Sequence, residues 1–125
     1  MGTKGARTER ELLDIFAEKG YGVVRAAGSG KSRHPAPDLL VGNSSRTLAI
    51  ECKASKGDIV YIDKGQVDRL REFSQKFGAR PLVGFRFNNE PWFFLEPGKL
   101  EWTGTHYKAT KDLVKGKGRL LETLE

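Results

Sequence analysis

Apolar residues recur at helical spacing near the start of the chain and then shift to the alternation of strands. Leu12, Leu13, Ile15 and Phe16 fall on one stripe of residues 4–19, which predicts an amphipathic helix. Thr3 stands where a cap would open that helix, and Gly20 where a left-handed residue would close it. Short strands are predicted over residues 22–27, 38–41 and 47–54, the first two separated by a loop of glycines, serines, prolines and basic residues over 28–37. Val67, Leu70, Phe73 and Phe77 mark the apolar stripe of a second helix over 63–77, closed by Gly78. Strands over 81–87 and 92–95 follow, joined around Asn88 and Asn89. From residue 105 the chain is basic and less periodic, with a short helix expected over 119–124.

The order is helix, three strands, helix, two strands. It predicts one α/β domain over residues 1–125, with a central mixed five-stranded sheet flanked by helices. The third and fourth predicted strands are joined through a helix, so they should run parallel with a right-handed crossover.

Composition narrows the partners. The 125 residues carry 22 Lys and Arg against 16 Asp and Glu, a formal net charge of +6. That excess favours polyanions such as DNA, RNA or an anionic membrane surface. A single cysteine, Cys52, excludes an internal disulfide framework and a cysteine-rich zinc site. It falls on the apolar side of its strand and reads as a small buried hydrophobe. No apolar run is long enough to span a membrane, so no membrane partner is expected. The N-terminus opens with Lys4 and Arg7 and has no apolar stretch; without a signal peptide, a reducing, cytoplasmic setting is expected.

The candidate chemistry lies on two strands. Residues 47–54 alternate, with Leu48, Ile50, Cys52 and Ala54 on one side and Glu51 and Lys53 on the other. Asp38, preceded by Pro37, opens the neighbouring strand. Alone, Asp38 is an ordinary turn residue and Glu51-x-Lys53 a common tripeptide; their conjunction carries the signal. A hard cation such as Mg²⁺ takes carboxylate, carbonyl and water oxygens, and Asp38, Glu51 and the Cys52 carbonyl offer such a set. A metal held there would polarise a phosphate and lower the pKa of a water. Lys53 could orient that water, act as its base, or neutralise charge in the transition state, and the sequence does not choose among these roles. Glu9 lies three, four and seven residues before Leu12, Leu13 and Phe16, on or beside the buried stripe of the first helix. From the helix alone, Glu9 reads as a stripe-edge residue reaching water, paired with Arg10 or Lys53.

Lys4-Gly5, Glu9-Arg10-Glu11, Arg25-x-x-Gly28-Ser29, Pro37-Asp38, Glu51-x-Lys53 and Phe73-Ser74-x-x-Phe77-Gly78 together resemble the archaeal Holliday junction resolvases. That family belongs to the restriction-endonuclease-like superfamily, whose signature is an acidic pair plus a lysine. The resemblance covers the chain to about residue 97 and implies a homodimeric, Mg²⁺-dependent endonuclease, with Mn²⁺ a substitute, that cuts four-way DNA junctions. It implies metal ligation by Asp38 and Glu51, a catalytic Lys53, and Glu9 completing a three-carboxylate site beside the basic Arg10. It also implies a functional serine at Ser29, with Ser32 a nearby competitor in a loop lengthened by Arg33, His34 and two prolines.

Seven basic residues precede Asp38, against four acidic ones. Lys4, Arg7, Arg10, Arg25, Lys31, Arg33 and Lys56 are candidate phosphate contacts, which give affinity without reading sequence. Opposed nicks in a junction need two sites related by a twofold axis, which an isologous dimer supplies. Phe73, Phe77, Trp92 and Phe94 are the candidate dimer interface, and some of them must instead serve the core. Two readings compete with the junction nuclease: a nuclease of the same fold acting on linear, nicked or flapped DNA, and a basic nucleic-acid-binding protein in which Asp38, Glu51 and Lys53 are structural ion pairs.

Overall fold

The structure, a computed structural model, describes residues 4–26 and 34–124, with side chains from residue 7 onward in the first segment. Helix α1 spans Lys4–Glu18 and strand β1 Gly22–Arg25. Strands β2 (Leu39–Gly42), β3 (Thr47–Ser55) and β4 (Ile59–Ile62) lead to helix α2 (Lys64–Phe77). Strands β5 (Arg80–Phe87), β6 (Trp92–Leu95), β7 (Glu101–Trp102) and β8 (Tyr107–Thr110) follow, and helix α3 (Lys111–Lys117) comes last. The α1 stripe buries Leu12 and Phe16 completely. Gly20 ends that helix at φ 90°, where the left-handed backbone lets the Tyr21 N–H reach back to the Phe16 carbonyl.

The main sheet has five strands in the order β1-β2-β3-β5-β6. Only the β3–β5 pair is parallel, as expected for strands joined through a helix. The sheet separates two cores. On one face α1 packs Leu12 and Phe16 against Leu39, Val41, Leu48, Ile50, Leu82, Trp92 and Phe94. On the other, α2 packs Val67 and Leu70 against Ala49, Val83, Phe85, Phe93 and Leu95. The alternation of β3 follows from this layering, with Leu48 and Ile50 under α1 and Ala49, Glu51 and Lys53 towards α2.

Two expectations need correction. The tail is ordered, not irregular: β4, β8 and β7 form a second, three-stranded sheet, and α3 buries Val114 with the Thr110 hydroxyl capping the Leu113 N–H. At the chain's end the predicted helix is a single 3-10 turn over Leu121–Thr123. The run Ile59–Ile62 carries no strand signal of its own, because its partner strand lies some 45 residues later and a four-residue strand gives little periodicity.

Trp92 and Phe94 are also not interface residues. They are only 6% and 2% exposed and belong to the α1 core, across the sheet from Phe73 and Phe77. The Trp92 indole N–H donates to Glu11 Oε1 at 2.9 Å, which fixes it there. Phe77, by contrast, is 55% exposed and stacks on Phe73 with centroids 5.1 Å apart.

Candidate active site

The β2–β3 ladder ends at the pair Leu39 and Ile50, and one residue further on the site begins. Asp38 no longer pairs through its backbone with β3. Its Oδ2 instead accepts the Cys52 N–H at 2.9 Å, so the side chain continues the ladder. In a strand, N–H and C=O of one residue leave on the same edge, so the Cys52 carbonyl faces the same gap as Asp38. Glu51 lies on the α2 side of β3 and takes a backbone hydrogen bond from Asp38. Lys53, two residues on, donates from Nζ to Gln66 Oε1 in the first turn of α2 at 3.0 Å. Asp38, Glu51 and Gln66 line a cavity of about 120 Å³, closed by Pro35, Ala36, Arg69 and Leu70.

The carboxylates repel one another and are poorly hydrated. Burial, then the charge of Asp38, pushes Glu51 from its ordinary 4.5 up to about 7, against the opposing charge of Lys53. Burial also raises Asp38, against the Cys52 hydrogen bond and the charges of Lys53 and Arg25. The Cys52 thiol is driven well above its ordinary range by burial and by Asp38, Glu9 and Glu51, so it stays an unreactive thiol packed against the α1 core.

Glu9 is near but differently used. Its Oε1 accepts the Arg25 Nε–H at 2.9 Å, with the two side chains 17% and 22% exposed. Neither Arg10 nor Lys53 is its hydrogen-bonded partner, and Arg25, expected to face DNA, is held in this pair. Burial and Asp38 raise the Glu9 pKa while Arg25 lowers it. Among the described residues, no three His, Cys, Asp or Glu side chains are gathered closely enough to hold one metal ion. The expected three-carboxylate cluster is therefore an Asp38–Glu51 pair with Glu9 at its edge, paired with Arg25.

Arg7, Arg10 and Lys56 are exposed. Ser29, Ser32, Lys31 and Arg33, and the side chain of Lys4, lie outside the described residues. Gln66 is a site residue that the sequence does not announce: a glutamine in the first turn of an amphipathic helix carries no signal until β3 and α2 are placed side by side.

Without a divalent cation, Glu51 destabilises the native state as pH rises. Its folded pKa lies above its unfolded one, so its favourable contribution is full below about 4.5 and lost as pH climbs through about 7. The shift corresponds to on the order of 3 kcal/mol. Asp38 and Glu9 are raised too and act with the same sign. In EDTA, the Tm of the wild type relative to Glu51→Gln should fall between pH 5 and pH 8, as followed by thermal melts; parallel curves for the two proteins would contradict this electrostatic picture.

A mixed sheet with an acidic pair and a lysine where β2 and β3 diverge defines the restriction-endonuclease-like class of nuclease folds. Residues 1–124 match the family described as archaeal Holliday junction resolvase. The chain is 37% identical over 113 residues to the crossover junction endodeoxyribonuclease Hjc of Archaeoglobus fulgidus, covering 90% of this chain and 83% of the relative. It is 36% identical over 104 residues to the Methanocaldococcus jannaschii protein of the same name, covering 83% and 74%. The solved structure of the A. fulgidus Hjc, described as a Holliday junction resolvase from an archaeal hyperthermophile, superposes with a TM-score of 0.88 at 32% identity, covering 94% of this chain and 96% of that one. The chain belongs to the archaeal Holliday junction resolvase family.

Proposed function

We propose that this chain is a homodimeric endonuclease that cuts four-way DNA junctions by divalent-metal-dependent phosphodiester hydrolysis. The observation that carries the chemistry is the Asp38–Glu51 pair: burial raises both carboxyls, the charge of Asp38 raises Glu51 further, and Lys53, with Arg25 for Asp38, offsets this only in part. Their oxygens and the Cys52 carbonyl are hard donors at one strand edge, which suits Mg²⁺, with Mn²⁺ as a substitute. The cation would supply phosphate polarisation and a more acidic bound water. Lys53, held by Gln66, places a fixed positive charge beside the phosphate position, where charge develops during cleavage. The Glu9–Arg25 pair supports the rim of the site next to Asp38.

The substrate reading rests on the family and on the names of the relatives. No helix among the described residues is long and apolar enough to cross a membrane, and the net charge of +6 suits DNA. For the dimer, the supporting surface lies on the α2 side of the sheet. Phe77 and Phe73 stack there, Leu40 packs at the edge of the same core, and exposed Val24 stands opposite Leu40 in register. This apolar face takes the place of the set that included Trp92 and Phe94.

The test offers four-way junction, linear duplex and flap DNA, each with and without Mg²⁺. Cutting confined to the junction and to the Mg²⁺ samples supports the proposal. Equal cutting of linear duplex would favour the other nuclease reading, and tight binding without cutting would favour a binding protein.

A further inference from the structure

The α2 wall of the cavity carries a cation that no other described residue uses. Arg69 lies three residues after Gln66, so the two share a helix face. Its side chain lines the cavity with Asp38, Glu51 and Gln66 and also borders the adjoining groove of His34, Pro35, Phe73 and Phe77. Arg25, Arg80 and Arg86 are each held by a carboxylate, whereas Arg69 has no hydrogen bond or ion pair among the described residues. The guanidinium folds back along the helix towards the turn where Gln66 holds Lys53. A Cβ on Gly65 would come within 2.9 Å of Arg69 Nη1, so the glycine leaves the space the guanidinium occupies.

Asp38 and Glu51 do not draw on this charge: the cations that act on them are Lys53 and, for Asp38, Arg25. Arg69 and the carboxylate pair line the same open space of about 120 Å³. A phosphate entering this space would have the carboxylate pair and the Arg69 side chain in its walls, and a guanidinium is the side-chain group best suited to bind phosphate through two parallel hydrogen bonds. We propose that Arg69 binds a backbone phosphate of the DNA strand lying in this cavity, its ligand being a phosphodiester of the junction substrate. The inference rests on the nuclease reading and adds a contact from α2 to those the sequence pointed to.

The test is binding of a synthetic four-way junction in EDTA, so that nothing is cut, over a range of salt concentrations. Arg69→Gln should reduce the slope of log K against log salt by roughly one per lost phosphate contact, hence about two for a dimer, and weaken binding several-fold at physiological salt. Arg69→Lys keeps the charge and should keep most of the slope. Arg71→Gln removes the same charge from the same helix, but Arg71 is directed towards Gly98 and should leave the slope unchanged. A wild-type slope for Arg69→Gln, or an equal drop for Arg71→Gln, would overturn the proposal. Dissociation of the Arg69→Gln dimer in sedimentation would overturn it in favour of a contact between two copies. Failure of the wild type to bind junctions at all would instead sink the nuclease reading on which the inference stands.

Discussion

Glu51→Gln should abolish junction cutting while making the metal-free protein more stable at pH 8. Both effects come from the same buried charge. Gln keeps the shape and one acceptor but removes the anion that a cation would need, and a loss of a thousandfold or more in cutting corresponds to about 4 kcal/mol of transition-state stabilisation. In EDTA at pH 8 the wild type must hold Glu51 ionised beside Asp38, although its pKa is about 7. Gln escapes that penalty, with the roughly 3 kcal/mol of the shift as an upper limit. Single-turnover cleavage and thermal melts on one preparation read both effects. A variant that still cuts, or that loses both stability and cutting, would mean that Glu51 is a structural group.

Phe77→Glu should convert the proposed dimer to a monomer and lower paired cutting by about a hundredfold or more. Phe77 is 55% exposed in the single chain and stacks flat on Phe73, so an apolar ring faces solvent beside a half-buried one. In an isologous interface each substitution is met twice, and the two new carboxylates would be buried near their twofold mates. Because the ring is mostly outside the core, the monomer should melt within about 1 kcal/mol of the wild-type subunit. Sedimentation measures the first effect and junction cleavage the second. A Phe77→Glu protein that remains dimeric would move the interface elsewhere.

How much was legible in advance depended on whether a signal was local. The alternation of β3 placed Glu51 and Lys53 on one face and Cys52 on the other, and the structure has the same arrangement. The helical stripes and their closing residues Gly20 and Gly78 were equally local. Strand β6 stands where the sequence predicts it, at 92–95, but Trp92 and Phe94 belong to the core and not to an interface, because all four of its residues are buried, two against each core. A continuous apolar run has no alternation, so nothing in it distinguishes core from interface. Glu9 was rightly placed at the stripe edge, but its bond to Arg25 depends on how α1 lies against β1, which spacing along one helix does not encode. The capping of the Cys52 N–H by Asp38 and the anchoring of Lys53 by Gln66 join residues 14 and 13 apart on different elements. Helix α3 has seven residues and contains Gly116, so its stability comes from packing Val114, not from its own propensity.

A supercoiled plasmid that extrudes a four-way cruciform tests the proposed function most directly. A twofold pair of active sites on one junction cuts both opposed strands before the complex dissociates, so linear plasmid should form as the first major product, only with a divalent cation, and not from relaxed plasmid lacking the cruciform. Accumulation of nicked circles alone would contradict paired action by a dimer, and cutting of the relaxed plasmid at a similar rate would contradict selectivity for the junction.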